Sequence, residues 1–249
     1  MLAIVSAMQE EIALVHQRLS GVTSRAAGGR EFLTGRLHDV PVVAVFSHWG
    51  KVAAAATIAQ LLSSWPVTEL VFCGVAGGVR PDLRIGDVVV ADALIQHDMD
   101  ASPLFARYEV PLTGQARFAP DAGIGARLVD AARDFIHEDL ATAVAAAELD
   151  GFGITRPQVV SGLIASGDKF FSTGKDLAEL RGRLPDTTCV EMEGAAAAQV
   201  CAAFGVPYGV VRVISDGADE QAAHDFPRFI HNIARHYSAG LLARFVRGG

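Results

Sequence analysis

The sequence predicts an α/β fold of three layers, with helices on both faces of a central sheet, and three observations carry that prediction. Short β-branched runs alternate with longer stretches of helical pattern. Runs such as ELVFCGVAGG and YGVVRVIS lack in-out alternation, as strands covered on both faces do. The chain has 249 residues, 51% of them hydrophobic, which is enough for one sizeable core and one domain over residues 1–249.

The elements follow in order. LAIVSA, residues 2–7, is a β-branched strand, and MQEEIALVHQRL, 8–19, is a helix. REFLTGRL, 30–37, and VPVVAVFSH, 40–48, form an antiparallel hairpin turning near Asp39. GKVAAAATIAQLLSSW, 50–65, is a helix that Pro66 ends. ELVFCGVAGG, 69–78, is a buried strand with a glycine turn, and GDVVVADALIQ, 86–96, is the next strand. DAGIGARLVDAARDFIHE, 121–138, is helical, QVVSGLIASG, 158–167, is a strand, and KDLAELRGRL, 175–184, is a helix stopped by Pro185. TTCVEM, 187–192, is a strand and EGAAAAQVCAAF, 193–204, a helix, with Gly205 and Pro207 as its stop. YGVVRVIS, 208–215, is the last strand, and residues 225–246 form the last helix.

Composition excludes several classes. The formal net charge is −7 and the basic residues are scattered, so no nucleic-acid partner is expected. The N-terminal apolar run has no basic residue before it and carries acidic residues, unlike a secretory signal, and no apolar stretch approaches the roughly 20 residues of a membrane span. Cys73, Cys189 and Cys201 lie in apolar runs without metal-ligand spacing, the usage of reduced core thiols in a cytoplasmic protein.

In a largely parallel sheet, ligands bind beyond the carboxyl ends of the strands. Directly after predicted strands come Met8-Gln9-Glu10-Glu11, Asp168-Lys169-Phe170-Phe171, Met192-Glu193 and Ser215-Asp216-Gly217. Such a rim, rich in carboxylates and apolar groups without a lysine-rich phosphate cradle, suits a largely neutral organic ligand. Carboxylates also suit cleavage of a bond between a sugar and a nitrogen base. The leaving base needs a proton, water needs a base, and the oxocarbenium-like sugar gains from negative charge. Each acid has a plainer reading as well: Glu10, Glu11 and Glu193 suit the first turn of a helix, and Asp216 before Gly217 suits a turn.

Other signals are weaker. The GVAGG run lacks G-x-G-x-x-G spacing and Gly50-Lys51 lacks an upstream Walker glycine, so the glycines serve a tight turn or a close backbone approach. Core packing explains an isolated Phe170-Phe171 pair, and His97 and His224 lack metal-ligand partners at helical spacing. Strand alternation sets Glu191 and Glu193 apart only if the strand runs through both. Which of the two faces a ligand stays open at this level.

SAMQEEI, SHWGKVAAA, CGVAGG, SGDKFF, VEMEGAA and VRVISDGAD occur in this order. Together they resemble the nucleoside phosphorylase/hydrolase superfamily, and most of all its methylthioadenosine/S-adenosylhomocysteine nucleosidases, nearly end to end. The resemblance implies a helix-flanked mixed central sheet of that type, a homodimer, and hydrolysis of 5′-thioadenosines to adenine and a thioribose without metal or other cofactor, as in methionine salvage. By the same resemblance Glu11 activates water, Asp216 protonates adenine N7 with Ser215 in support, and Glu193 binds ribose hydroxyls with Met192 against the sugar. Phe170 stacks on adenine, Phe171 lies where backbone groups read its edge, and Arg212 supports the site. Met8, Trp49 and Phe226 line the 5′-substituent pocket, and Leu104 or Phe105 of a neighbouring subunit covers it.

Three positions depart from the family pattern. Val75 replaces a hydroxyl-bearing residue, Trp49 a small aliphatic one, and Lys169 a small one beside the stacking phenylalanine. They bear on the 5′ substituent more than on the glycosidic chemistry. The rival readings are a purine nucleoside phosphorylase, a hydrolase for another nucleoside of the futalosine or 5′-deoxyadenosine type, and a non-catalytic nucleoside-binding protein. No G-D-P-x-R-like loop precedes Lys51, and Arg30 and Arg36 lack that context, which disfavours phosphorolysis. A protein that only bound adenine would not need the water-activating Glu11.

Overall fold

The computed structural model describes residues 1–248. Among them a sheet of ten strands is flanked by helices on both faces, the helix-flanked mixed sheet expected from sequence. Strands β1 (Leu2–Ser6), β4 (Val40–Phe46), β5 (Glu69–Gly78) and β10 (Tyr208–Asp216) run parallel through the pairings β4-β1-β5-β10. In β1 the side chains alternate between two apolar layers: Leu2 and Ile4 on one face, Ala3 and Val5 on the other, all buried.

The second half of the sheet closes on itself. Strand β6 (Val88–Gln96) pairs antiparallel with β10 and parallel with β8 (Val159–Ser166), and β8 pairs parallel with β9 (Thr187–Glu191). Strand β9 returns antiparallel to the far end of β5, where Gly77 faces Val190. On that edge β5 therefore changes partner, pairing with β1 up to Phe72 and with β9 from Gly77. The residues between are left without a ladder partner on that side, and a cleft opens there.

Helix α1 (Gln9–Arg18) follows β1 and α2 (Lys51–Ser64) follows β4. On α2 the buried residues Ala54, Thr57, Ile58 and Leu61 form one face at helical spacing. Helix α3 (Ala122–Asp134) runs through a wider π turn into α4 (Leu140–Ala143), beyond the expected end at 138, and α5 (Ala146–Gly151) follows. Helix α6 (Gly174–Arg183) precedes β9. Helix α7 (Gly194–Phe204) packs on α2 and ends in a left-handed Gly205, as its sequence predicts. Helices α8 (Ala222–Phe229) and α9 (Arg235–Arg247), joined by a second π turn, occupy the place of the last predicted helix, which begins three residues earlier than expected.

Two further strands escape the sequence reading. Strand β2 (Ser20–Ala27) is an exposed edge strand of small and polar residues, SGVTSRAA, so burial leaves no apolar signal there. Strand β7 (Arg117–Phe118) has two residues. The hairpin at Asp39 forms as predicted: β3 (Arg30–Leu37) pairs antiparallel with β4, and His38 and Asp39 both adopt positive φ. The GVAGG run differs, since it continues β5 as strand instead of turning.

Candidate active site

The cleft lies at the fork of β5. Glu11, Glu193 and Asp216 all line it, one from each of three strand ends. Glu11 is the third residue of α1, and its carboxylate is buried. Its Oε2 accepts from the N–H groups of Ala7 at 3.1 Å and Met8 at 3.0 Å, and its Oε1 from that of Val75 at 3.0 Å. Val75 N–H is free to do so because β5 has lost β1 and not yet gained β9 at that point. A Cβ at Gly74 would stand 2.9 Å from Oε1, so only glycine lets the carboxylate lie on the strand. Burial pushes the Glu11 carboxyl up to about 7, against the opposing pull of the Arg212 charge and the three backbone N–H groups.

Strand β9 ends at Glu191, one residue short of prediction, which releases Glu193 from strand alternation. Glu193 is the N-cap of α7, yet its side chain makes no capping bond. It reaches across the cleft instead, where Oε1 accepts from Gly50 N–H at 2.7 Å. Burial first, and then the neighbouring Glu191 charge, push its carboxyl up to about 8. Glu191 itself turns to Arg212, with Oε2 2.6 Å from Nη2 and 3.1 Å from Nε. Arg212 lies behind the cleft wall, over the Phe72 ring at 4.5 Å, and donates to the Phe72 carbonyl at 3.1 Å. It is completely enclosed and does not line the cleft.

Asp216 ends β10. Ser215 Oγ donates to its Oδ2 at 2.7 Å and Ala218 N–H to its Oδ1 at 2.9 Å. Burial raises the Asp216 carboxyl above its ordinary range, with the charges of Asp219 and Asp225 adding to it, against these two hydrogen bonds.

The apolar walls come from Met8, Val75, Phe171 and Met192, and from an aromatic rim. Trp49 packs edge-on to Phe226 at 5.9 Å, and Phe226 edge-on to Phe170 at 5.5 Å. Lys169 also lines the rim, its Nζ held by Asp176 at 2.7 Å. The cleft therefore gathers every residue expected in it from this chain except Arg212. Phe105 lies outside it, in the segment between β6 and β7. His97 is buried edge-on to Phe171 at 5.4 Å, and His224 is exposed beside Asp225. Arg30 is occupied by the Thr57 hydroxyl and the Ser47 carbonyl.

The phosphorylase superfamily model matches residues 1–247. The 5′-methylthioadenosine/S-adenosylhomocysteine nucleosidase of Geobacillus kaustophilus is 38% identical over 235 residues, covering 94% of this chain and 92% of the relative. The chain belongs to the 5′-methylthioadenosine/S-adenosylhomocysteine nucleosidase family. It is an enzyme of the N-glycosidase type. A crystal structure of the Neisseria meningitidis nucleosidase with methylthio-immucillin-A superposes with a TM-score of 0.87 at 32% identity, over 100% of this chain and 99% of the other. The futalosine hydrolase of Helicobacter pylori superposes at 0.83 with 30% identity, over 100% and 97%.

For this nucleosidase-family chain, the site contributions that sequence reasoning missed are mostly backbone groups. Gly50 N–H and Val75 N–H are donors to two of the three carboxylates. A backbone amide leaves no residue-type signal, and only its loss of a strand partner reveals it.

Proposed function

We propose that this chain hydrolyses the N-glycosidic bond of a 5′-substituted adenine nucleoside, such as methylthioadenosine, S-adenosylhomocysteine or 5′-deoxyadenosine, to adenine and the free sugar. The observation that carries the reading is the set of three buried carboxylates on one cleft, with Glu11, Glu193 and Asp216 each biased toward holding a proton. Asp216 is the general acid: it gives a proton to adenine N7 as the C1′–N9 bond breaks, so the base leaves neutral. Ser215 and Ala218 orient it. The sugar passes through an oxocarbenium-like state while the Glu193 oxygens hold the ribose hydroxyls. Ionised Glu11 takes a proton from water as the water oxygen bonds to C1′. One water is consumed and one C–N bond is broken.

Phe170, Phe171 and Met192 enclose the base and sugar, and Met8, Trp49 and Phe226 take the 5′ substituent. Val75 offers no hydroxyl near the water, leaving that part of the wall apolar. The protein works as a homodimer, in which Phe105 of one subunit closes the other's cleft. Leu104 beside it is 84% exposed in the single chain, and Phe105 itself is away from its own cleft, both of which suit a contact supplied across an interface. Among the described residues no helix is long and apolar enough to cross a membrane. We place the enzyme in the cytoplasm on its cysteine usage, three thiols free and buried in the core.

A panel of nucleosides assayed for free base, with and without phosphate and with a chelator, tests the reading. Methylthioadenosine is expected to yield adenine without phosphate or free metal. Strict phosphate dependence would make the chain a phosphorylase, and base release from futalosine alone would move it to the other hydrolase class.

A further inference from the structure

Glu191 lies two residues from Glu193, lines the same cleft and has no part in the chemistry above. We propose that Glu191 is a positioning residue, which caps α7 and pairs Arg212 so that the Glu193 carboxylate stays free to face the substrate. This rests on the function proposed for the cleft.

The N-cap position of a helix ordinarily supplies an oxygen to the first free N–H groups. Glu193 holds that position without doing so. Its own N–H donates to Glu191 Oε2 at 3.2 Å, and Gly194 N–H reaches both Glu191 oxygens, at 3.0 and 2.8 Å. Ala195 N–H donates to Ser166 Oγ at 2.7 Å, and that hydroxyl in turn donates to Glu191 Oε1. Ser166 is in place because the β8-β9 register pairs it with Glu191. Add the two bonds from Arg212, and the acceptor capacity of Glu191 is spent within the protein. It has little left for a ligand.

The pairing has an electrostatic side. The Arg212 side chain is 1% exposed and that of Glu191 3%. Around them stand Glu11 from α1, Glu193 at the start of α7, Cys73 from β5, Cys189 from β9 and His97 after β6, all buried. Without Glu191, a bare guanidinium would act on Glu11 and Glu193 at short range in a dry interior, favouring their ionised forms. Glu191 thus fixes both the direction of the Glu193 carboxylate and the proton affinity of the pair it neighbours.

Glu191→Gln keeps the shape, removes the charge and turns an amide NH₂ toward donors. Its crystal structure is expected to show the Glu193 carboxylate withdrawn from Gly50 N–H to cap α7. That readout does not depend on activity, so it is independent of whether the cleft is a nucleosidase site. Where the wild type releases adenine, the variant should lose at least tenfold in kcat/KM. The rate penalty for a 2′-deoxy substrate should shrink, and the acid limb of the pH profile should move to lower pH. Glu191→Asp, which keeps the charge, should restore the limb but not the full rate. A folded Glu191→Gln protein with Glu193 still on Gly50, and with the wild-type limb and 2′-deoxy penalty, would overturn the proposal. If that variant does not fold, Ser166→Ala, which frees Ala195 N–H and leaves the Glu191 charge and the limb in place, carries the structural and 2′-deoxy readouts: Glu193 drawn toward the helix start with a smaller penalty supports the role, and Glu193 unmoved on Gly50 with the wild-type penalty rejects it. Absence of adenine release by the wild type, with Glu193 withdrawn in the variant, would reject the function and leave the positioning role standing.

Discussion

At Asp216, replacement by Asn keeps two hydrogen-bonding atoms but has no acidic proton to give adenine N7. Asp216→Asn is expected to lose about 10²- to 10⁴-fold in kcat with substrate affinity within a few-fold, measured by single-turnover kinetics beside equilibrium binding. Near-normal turnover would remove Asp216 from the acid role. Glu11 must be ionised to accept a proton from water, and burial has pushed it up to about 7. We therefore expect kcat/KM to rise with pH through about 7, a limb that belongs to the coupled carboxylates together. The same shift has a stability consequence of opposite sign. The folded protein binds this proton more tightly than an unfolded chain does, so the contribution is full below about 4.5 and lost as pH rises through about 7. The thermal midpoint of the ligand-free protein should fall over that window, and Glu11→Gln should flatten the fall.

Helix α7 shows how an element can be read for its type and missed for its role. Gly194, Ala195, Ala196, Ala197 and Ala198 are all buried, so the alanine run packs closely against the sheet and α2. Ala197→Leu should overpack this seam and cost about 1 to 3 kcal/mol, read from denaturant unfolding. An unchanged midpoint would mean that the seam has room. The N-terminus of the helix was less legible. The sequence offers two glutamates in VEMEG, and which one caps the helix depends on where β9 stops. Strand β2 was not legible for a different reason: on an exposed edge it needs no apolar face, and backbone pairing with β3 alone defines it.

The whole molecule places the site where the sheet forks. Strand β5 is shared between the open half and the closed ring of β10, β6, β8 and β9, and the cleft lies at the change of partner. The exposed Leu104, with Leu112 at 92% exposure nearby in the chain, marks the segment expected to meet a second subunit. If the proposed dimer forms through this segment, Leu104→Asp should shift the protein toward monomer in sedimentation velocity and lower kcat/KM, because a Phe105 supplied across that interface would leave the cleft. A fully active monomer would contradict the shared site.

The fold class, the hairpin at Asp39, the buried strands and the strand-end residues from which the site is built are all legible in the chain before it folds. These follow from short-range causes: period, β-branching, breakers and caps act within a few residues. That Glu193 faces the cleft while Glu191 turns back to Arg212, and that Gly50 and Val75 lend their N–H groups to carboxylates, emerges with the packing of the sheet. Those outcomes depend on which strand lies beside which, and on how deeply each charge is buried. Both are properties of segments far apart in the chain, brought together by the closing of the sheet.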